Sequence, residues 1–176
     1  MKKILFLAIS ILITFTMMSC HHTKKLTQQQ HNDLEDVYNS LKKDMPEALV
    51  TMQGDKVKVV LPESVLFDIN SSDINKEYMP ILGKMAGILN KYPKTSILIS
   101  GYTDISGKEA YNNELSKKRA DNAKQVFVSN NVKGNRMYTW GRGSKDPIAD
   151  NGTDAGRAQN RRVEYVIMYN YQPDAK

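Results

Sequence analysis

Lys2 and Lys3 precede an almost unbroken apolar run from Ile4 to Met18, after which the chain turns polar. That run falls short of a comfortable bilayer span, and a basic start before a short apolar stretch reads as a secretory leader. Residues 21–33 are polar and hold neither Gly nor Pro, which suits a tether. From Leu34 the apolar positions Leu34, Val37, Tyr38, Leu41 and Met45 recur at helical spacing, and Pro46 closes the pattern. Such a stripe most often packs on its own domain; the other use is to hold a partner.

After Pro46 the period changes from helix to strand. Ala48–Met52 and Lys56–Leu61 flank Gln53, Gly54 and Asp55, a hairpin pattern in which Val57, Val59 and Leu61 form the buried face. Ser72 can cap a helical stretch in which Ile74, Tyr78, Leu82, Met85, Leu89 and Tyr92 share a side. Pro80 inside that stretch either kinks the helix or marks its true start, and Pro93 ends it. Ile97–Ile99 reads as a short buried strand. A second helix is expected over Lys108–Ser129, a strand over Arg136–Trp140, a turn-rich loop over Gly141–Gly156 and a last alternating strand over Val163–Tyr171. Strands interleaved with two helices predict an α+β, two-layer sandwich, with helices on one face of a mixed sheet of four to five strands and a helical tether in front.

Composition refines this picture at two points. The chain has 176 residues, enough for one domain and a tail, with 25 Lys+Arg against 19 Asp+Glu. Its one cysteine, Cys20, excludes an intrachain disulfide framework and a cysteine-based zinc cage. Cys20 follows the small residue Ser19 at the end of the leader, the arrangement of a bacterial lipoprotein signal in which the cysteine is acylated. Met17 stands where such signals usually carry Leu. Acyl chains on Cys20 would hold the chain to a membrane and leave the mature protein without a free thiol. Removing residues 1–19 takes away two lysines and no acids, so +6 becomes +4, and no nucleic-acid partner is implied. His21 and His22 belong to the solvated linker rather than to a metal site, and no cofactor is expected.

Candidate chemistry concentrates after Ile99. Asp104 lies just past a buried strand, where a loop can present it. On the following helix Asn112, Ser116, Arg119 and Ala123 form one continuous stripe at i, i+4, i+7 and i+11. An anion and a cation held apart on one wall complement a zwitterion, with Arg forking a carboxylate and Asp taking an ammonium. By spacing alone, Asp104 and Arg119 could equally well pair with each other.

These residues also resemble a known family. Gly101, Tyr102, Thr103 and Asp104, then Asn112, Leu115, Ser116, Arg119 and Ala120, look like the motifs of the OmpA-like domain. Gly141, Gly143, Pro147, Asn151, Thr153, Gly156, Arg157 and Asn160–Glu164 continue the likeness, and Val65–Asn70 matches the family's upstream Phe-Asp segment. The resemblance covers residues 48–172, behind a leader over 1–19 and a lipid-anchored tether and helix over 20–46. It is the arrangement of peptidoglycan-associated lipoproteins, which share this domain with OmpA-type porins.

The resemblance implies non-covalent binding of peptidoglycan through the meso-diaminopimelate of its stem peptide. Asp104 would meet the ammonium and Arg119 the carboxylate, with Phe67, Asp68, Thr103, Asn112 and Leu115 supporting the pocket. It also implies an outer-membrane lipoprotein with its domain in the periplasm, joining membrane to wall, without catalytic residues, metal or cofactor. Where the family usually has His, this chain has Tyr102, an aromatic wall that gains no charge near neutral pH. Arg157, Arg161 and Arg162 around Asn160 read as braces for the loop before the last strand, because acids are interspersed and no aromatics interleave for nucleic-acid stacking. Asp68, Asp104 and Glu109 could be taken for glycosidase carboxylates, but spacing alone is weak support for turnover. An adaptor working through envelope proteins is the remaining alternative.

Overall fold

The computed structural model describes residues 25–68 and 71–171; the basic leader and Cys20 lie outside them. Helix α1 (Gln28–Asp44) leads into the hairpin β1 (Leu49–Met52) and β2 (Lys56–Pro62), followed by a single helical turn, α2 (Glu63–Leu66). Then come α3 (Met79–Lys91), β3 (Ser96–Tyr102), α4 (Glu109–Ser129), β4 (Met137–Gly141), α5 (Asp154–Asn160) and β5 (Arg162–Met168). The sheet runs β1-β2-β5-β3-β4 and is antiparallel except for β3 and β4, which are parallel and joined through α4. This is the expected α+β architecture with a mixed sheet.

Register explains the core. Val57, Ile167, Ile97 and Met137 lie in one row across four strands, and Val59, Tyr165 and Ile99 in the next. All seven are buried, because alternate residues of each strand share a face. Leu82, Met85 and Leu89 of α3, with Ala120, Ala123 and Phe127 of α4, are buried in the same core. Phe127 meets Tyr165 edge-on at 5.5 Å between ring centroids.

Helix α1 spends its apolar stripe on this same core, with Leu34, Val37, Leu41 and Met45 all buried. It starts earlier than the polar character of residues 21–33 suggests. Thr27 Oγ1 accepts from the Gln30 amide while the Gln30 side chain accepts from the Thr27 amide, a capping box that starts the helix at Gln28. The Tyr169 hydroxyl donates to Asp33, fixing this helix to the end of the sheet.

Other differences have local causes. Pro80 starts α3 rather than kinking it, sitting in the first turn where no amide is needed. Asn75, not Ser72, caps the 3-10 turn Lys76–Tyr78 that precedes it. The loop expected to run to Gly156 gives way at Asp154 to α5, whose cap is Thr153. The last strand stops at Met168 because its partners there, Lys56 and Ser96, are the first residues of β2 and β3. Alternation alone carries it further, to Tyr171.

Two glycines bring α4 down onto the sheet. A Cβ on Gly101 would overlap the Ser116 carbonyl, and one on Gly141 would lie 2.7 Å from the Asn113 carbonyl oxygen. The helix can therefore rest its backbone on the ends of β3 and β4. That close approach places Asn112, Leu115 and Arg119 beside the loop after β3.

Candidate ligand-binding cleft

The loops that follow β3 and β4 are clamped together. Thr103 N donates to the Gly143 carbonyl at 2.8 Å, and Arg142 N donates to the Gly101 carbonyl at 2.9 Å. Ser116 Oγ accepts from Gly143 N at 2.9 Å, tying both loops to α4. Asn112, on the same face of that helix, donates to the Ser106 carbonyl at 2.9 Å. Asp104 is thereby presented at the mouth of a cavity of about 460 Å³ lined by Phe67, Thr103, Asn112, Leu115 and Arg119.

Asp104 is held as an anion. Its Oδ1 accepts from the Ser106 amide at 2.7 Å, and its Oδ2 accepts from Arg161 Nη1 at 2.6 Å. Burial pushes its carboxyl up, but the Arg161 and Ser106 hydrogen bonds outweigh that and hold it below the ordinary carboxylate range. Arg119, with a side chain 3% exposed, donates through Nε to the Ser71 carbonyl at 3.0 Å and through Nη2 to Glu63. Its guanidinium lies over the Phe67 ring, 5.0 Å from the centroid.

Asp104 and Arg119 are therefore brought to one cleft without pairing with each other. Each has its own counter-ion, and the two counter-ions meet: Arg161 Nε lies 2.9 Å from Glu63 Oε2. The result is an alternating chain, Arg119, Glu63, Arg161 and Asp104, along one wall. Its formal charges cancel, yet the cavity beside it leaves room for a ligand that carries both signs.

Of the anticipated residues, Asp104, Arg119, Phe67, Thr103, Asn112 and Leu115 line the cleft, whereas Asp68 is exposed and does not. Glu109 is likewise exposed, in the first turn of α4. Tyr102 does not form the aromatic wall expected of it. The pleat turns it to the opposite face of the sheet, where it is buried under the Arg162 guanidinium, 3.8 Å from the ring centroid.

Two cleft residues escape a reading of the sequence alone. Arg161 is more than a brace, since it points into the cleft while its neighbour Arg162 is buried on the other face. Strand alternation after Asn160 could have separated the two. Glu63 sits where β2 ends, and its amide donates to the Arg161 carbonyl at 2.9 Å, so the pair continues the β2–β5 ladder by one step. Finding it requires the register between segments about 100 residues apart. The bracing role does hold for Arg157, whose Nη1 donates to the Asn151 carbonyl at 2.8 Å, and for Asn160, which bonds Ile148, Ala149 and Asn151.

Comparisons with known proteins bear on the family and the fold. The OmpA family matches residues 66–161. The probable lipoprotein YiaD of Escherichia coli is 38% identical over 118 residues, covering 67% of this chain and 54% of that protein. The chain thus spans about half the length of that curated relative. Among solved structures, the cell wall anchor of the T6SS from Pseudomonas aeruginosa is 27% identical, with a TM-score of 0.69 over 76% of this chain and 97% of that one. The peptidoglycan-associated lipoprotein from Burkholderia pseudomallei is 33% identical, with a TM-score of 0.55 over 59% of this chain and 88% of that one.

Proposed function

The chain belongs to the OmpA family, and from that premise we propose that it binds peptidoglycan without cleaving it, gripping the meso-diaminopimelate of the stem peptide. The observation that carries this reading is the cleft: an Asp104 carboxylate held ionised and a buried Arg119 guanidinium line one cavity without neutralising each other. Asp104 takes the ammonium of the ligand, and Arg119 takes the carboxylate with donors not spent on Ser71 and Glu63. Thr103, Asn112 and Leu115 shape the pocket, and Phe67 forms the apolar backing of Arg119. A carboxyl held below the ordinary range supports binding rather than turnover, since a general acid at a glycosidic bond needs its pKa raised.

The names of the similar proteins, a probable lipoprotein, a cell wall anchor and a peptidoglycan-associated lipoprotein, support the same placement for this chain. Residues 1–19 act as a leader, Cys20 carries the acyl chains, and the domain reaches the wall from the outer membrane on the periplasmic side. Many equivalent sites on one polymer then turn a modest single-site affinity into a durable hold.

Sedimentation with purified peptidoglycan tests this. The folded protein should pellet with the polymer, and Asp104→Ala and Arg119→Ala should each weaken binding about tenfold or more, the loss of one charge-assisted contact. Undiminished pelleting by both variants would remove the diaminopimelate assignment. Muropeptides released into the supernatant would point to an enzyme instead.

A further inference from the structure

Glu63 stands between the two arginines of the cleft, and nothing in the ligand-binding scheme above requires a second carboxylate there. We infer that Glu63 sets the selectivity of the cleft, admitting a head group that carries its own ammonium and rejecting a plain anion. The inference rests on reading the cleft as the site for the diamino acid.

Its position is fixed from both sides. The Glu63 amide donates to the Arg161 carbonyl, and the Glu63 carbonyl accepts from the Phe67 amide at 2.9 Å, so the backbone that carries the carboxylate is pinned. Oε1 accepts from Arg119 Nη2. Oε2 is buried and accepts no hydrogen bond, although Arg161 Nε is 2.9 Å away, because the N–H does not point along that line. Glu63 itself lines the cavity, so its charge acts on whatever enters there.

An entering dicarboxylate finds both arginines already neutralised, one by Glu63 and the other by Glu63 and Asp104. It can take only the Arg119 donors not spent on Ser71 and Glu63, and it brings further negative charge against two fixed carboxylates. It offers no proton donor in return. A zwitterionic head brings the same carboxylate but supplies an ammonium, which Asp104 can accept and whose charge the neighbouring Glu63 carboxylate also favours. Asp104 provides the attraction for the cation, and Glu63 provides the penalty on its absence.

The test compares meso-diaminopimelate with pimelate, the same carbon chain and carboxylates without the amino groups, titrated into the full chain and followed by backbone amide chemical shifts. Wild type should prefer diaminopimelate. Glu63→Gln, which keeps the shape and removes the charge, should gain affinity for pimelate and narrow the preference about tenfold. Asp104→Asn should narrow it too, but by losing diaminopimelate rather than by gaining pimelate. Melting temperatures confirm that each variant is folded. A preference unchanged in Glu63→Gln, or pimelate still without measurable binding to it, overturns the inference while leaving the cleft assignment intact. A wild type that shows no shift with diaminopimelate overturns the assignment and the inference together.

Discussion

The sheet carries a network of charge on each of its two sides, and both are built on a carboxylate between two cations. In the cleft, Glu63 lies between Arg119 and Arg161. On the far face, Glu164 lies between Lys58 at 2.9 Å and Arg162 at 2.8 Å. Arg161 and Arg162 are consecutive, and the pleat sends one to each network. Their surroundings differ. Arg162 donates through Nε to Glu164, through Nη1 to the Asn160 carbonyl and through Nη2 to the Asp146 carbonyl, and its flat face is stacked on Tyr102. Its side chain is 2% exposed, against 37% for that of Arg161. One network is hydrogen-bonded and sealed; the other is ion-paired and open to a cavity. Charge pairing alone does not distinguish the two faces; the cavity beside one of them does.

The largest test of that contrast is Arg162→Ala. It leaves Glu164 with Lys58 as its one cation, takes the Arg162 donors from the buried Asn160 carbonyl and the Asp146 carbonyl, and should cost about 3 kcal/mol of stability. A urea midpoint measures this. The protein that remains folded should still pellet with peptidoglycan, because no atom of Arg162 lines the cleft. A loss below about 1 kcal/mol would mean the far network is not sealed as described. Lost pelleting in a folded variant would mean the two faces are coupled.

The same contrast explains what the sequence reveals and what it withholds. Hydrophobic spacing placed α1, α4 and the strands within a few residues, because Leu34, Val37 and Leu41, or Val57, Val59 and Leu61, bury one face wherever their partners come from. The stripe Asn112, Ser116, Arg119 and Ala123 is legible for the same reason, and all four are buried on α4. Spacing set Asp104 and Arg119 on one wall but left open whether they pair with each other; the family likeness favoured a ligand between them and added Phe67, Thr103 and Leu115. Glu63 and the cleft role of Arg161 were not, since each depends on how β2 meets β5 across most of the chain. Tyr102 was misplaced because its motif neighbours Thr103 and Asp104 face the cleft, and only the pleat says that the residue before them does not. The α5 helix is short and polar, which gives it no apolar period to read.

A smaller effect separates the networks by pH. Asp104 has its carboxyl lowered in the folded protein, so it contributes stability above the ordinary Asp value of 3.8, and that contribution is lost as pH falls below 3.8 through the folded value. Asp104→Asn should therefore be less stable than wild type near neutrality, with the gap closing progressively in more acid buffer. Unfolding curves for the two proteins at several acid pH values measure it. A gap that stays constant across that range would mean Arg161 and the Ser106 amide do not favour the ionised form.

The smallest expected effect is on binding in Tyr102→His, which restores the residue usual in the family. A histidine at a ligand cleft would add charge in mild acid and make peptidoglycan binding depend on pH. Here the side chain at 102 points to the sealed face, with its hydroxyl 3.5 Å from Glu164 and Arg162 stacked on its ring. An imidazole there would face burial and the charge of Arg162, both of which oppose protonation, and Glu164, which favours it but is already shared between Lys58 and Arg162. It would also stand on the other side of the sheet from Asp104 and Arg119. Pelleting by Tyr102→His should stay within about twofold of wild type from about pH 5 to 8, and the two pH profiles should run parallel. A step near the histidine range in the variant alone would show that charge on the sealed face reaches the cleft. The strands between them would then transmit what the packing of Arg162 otherwise confines to one face.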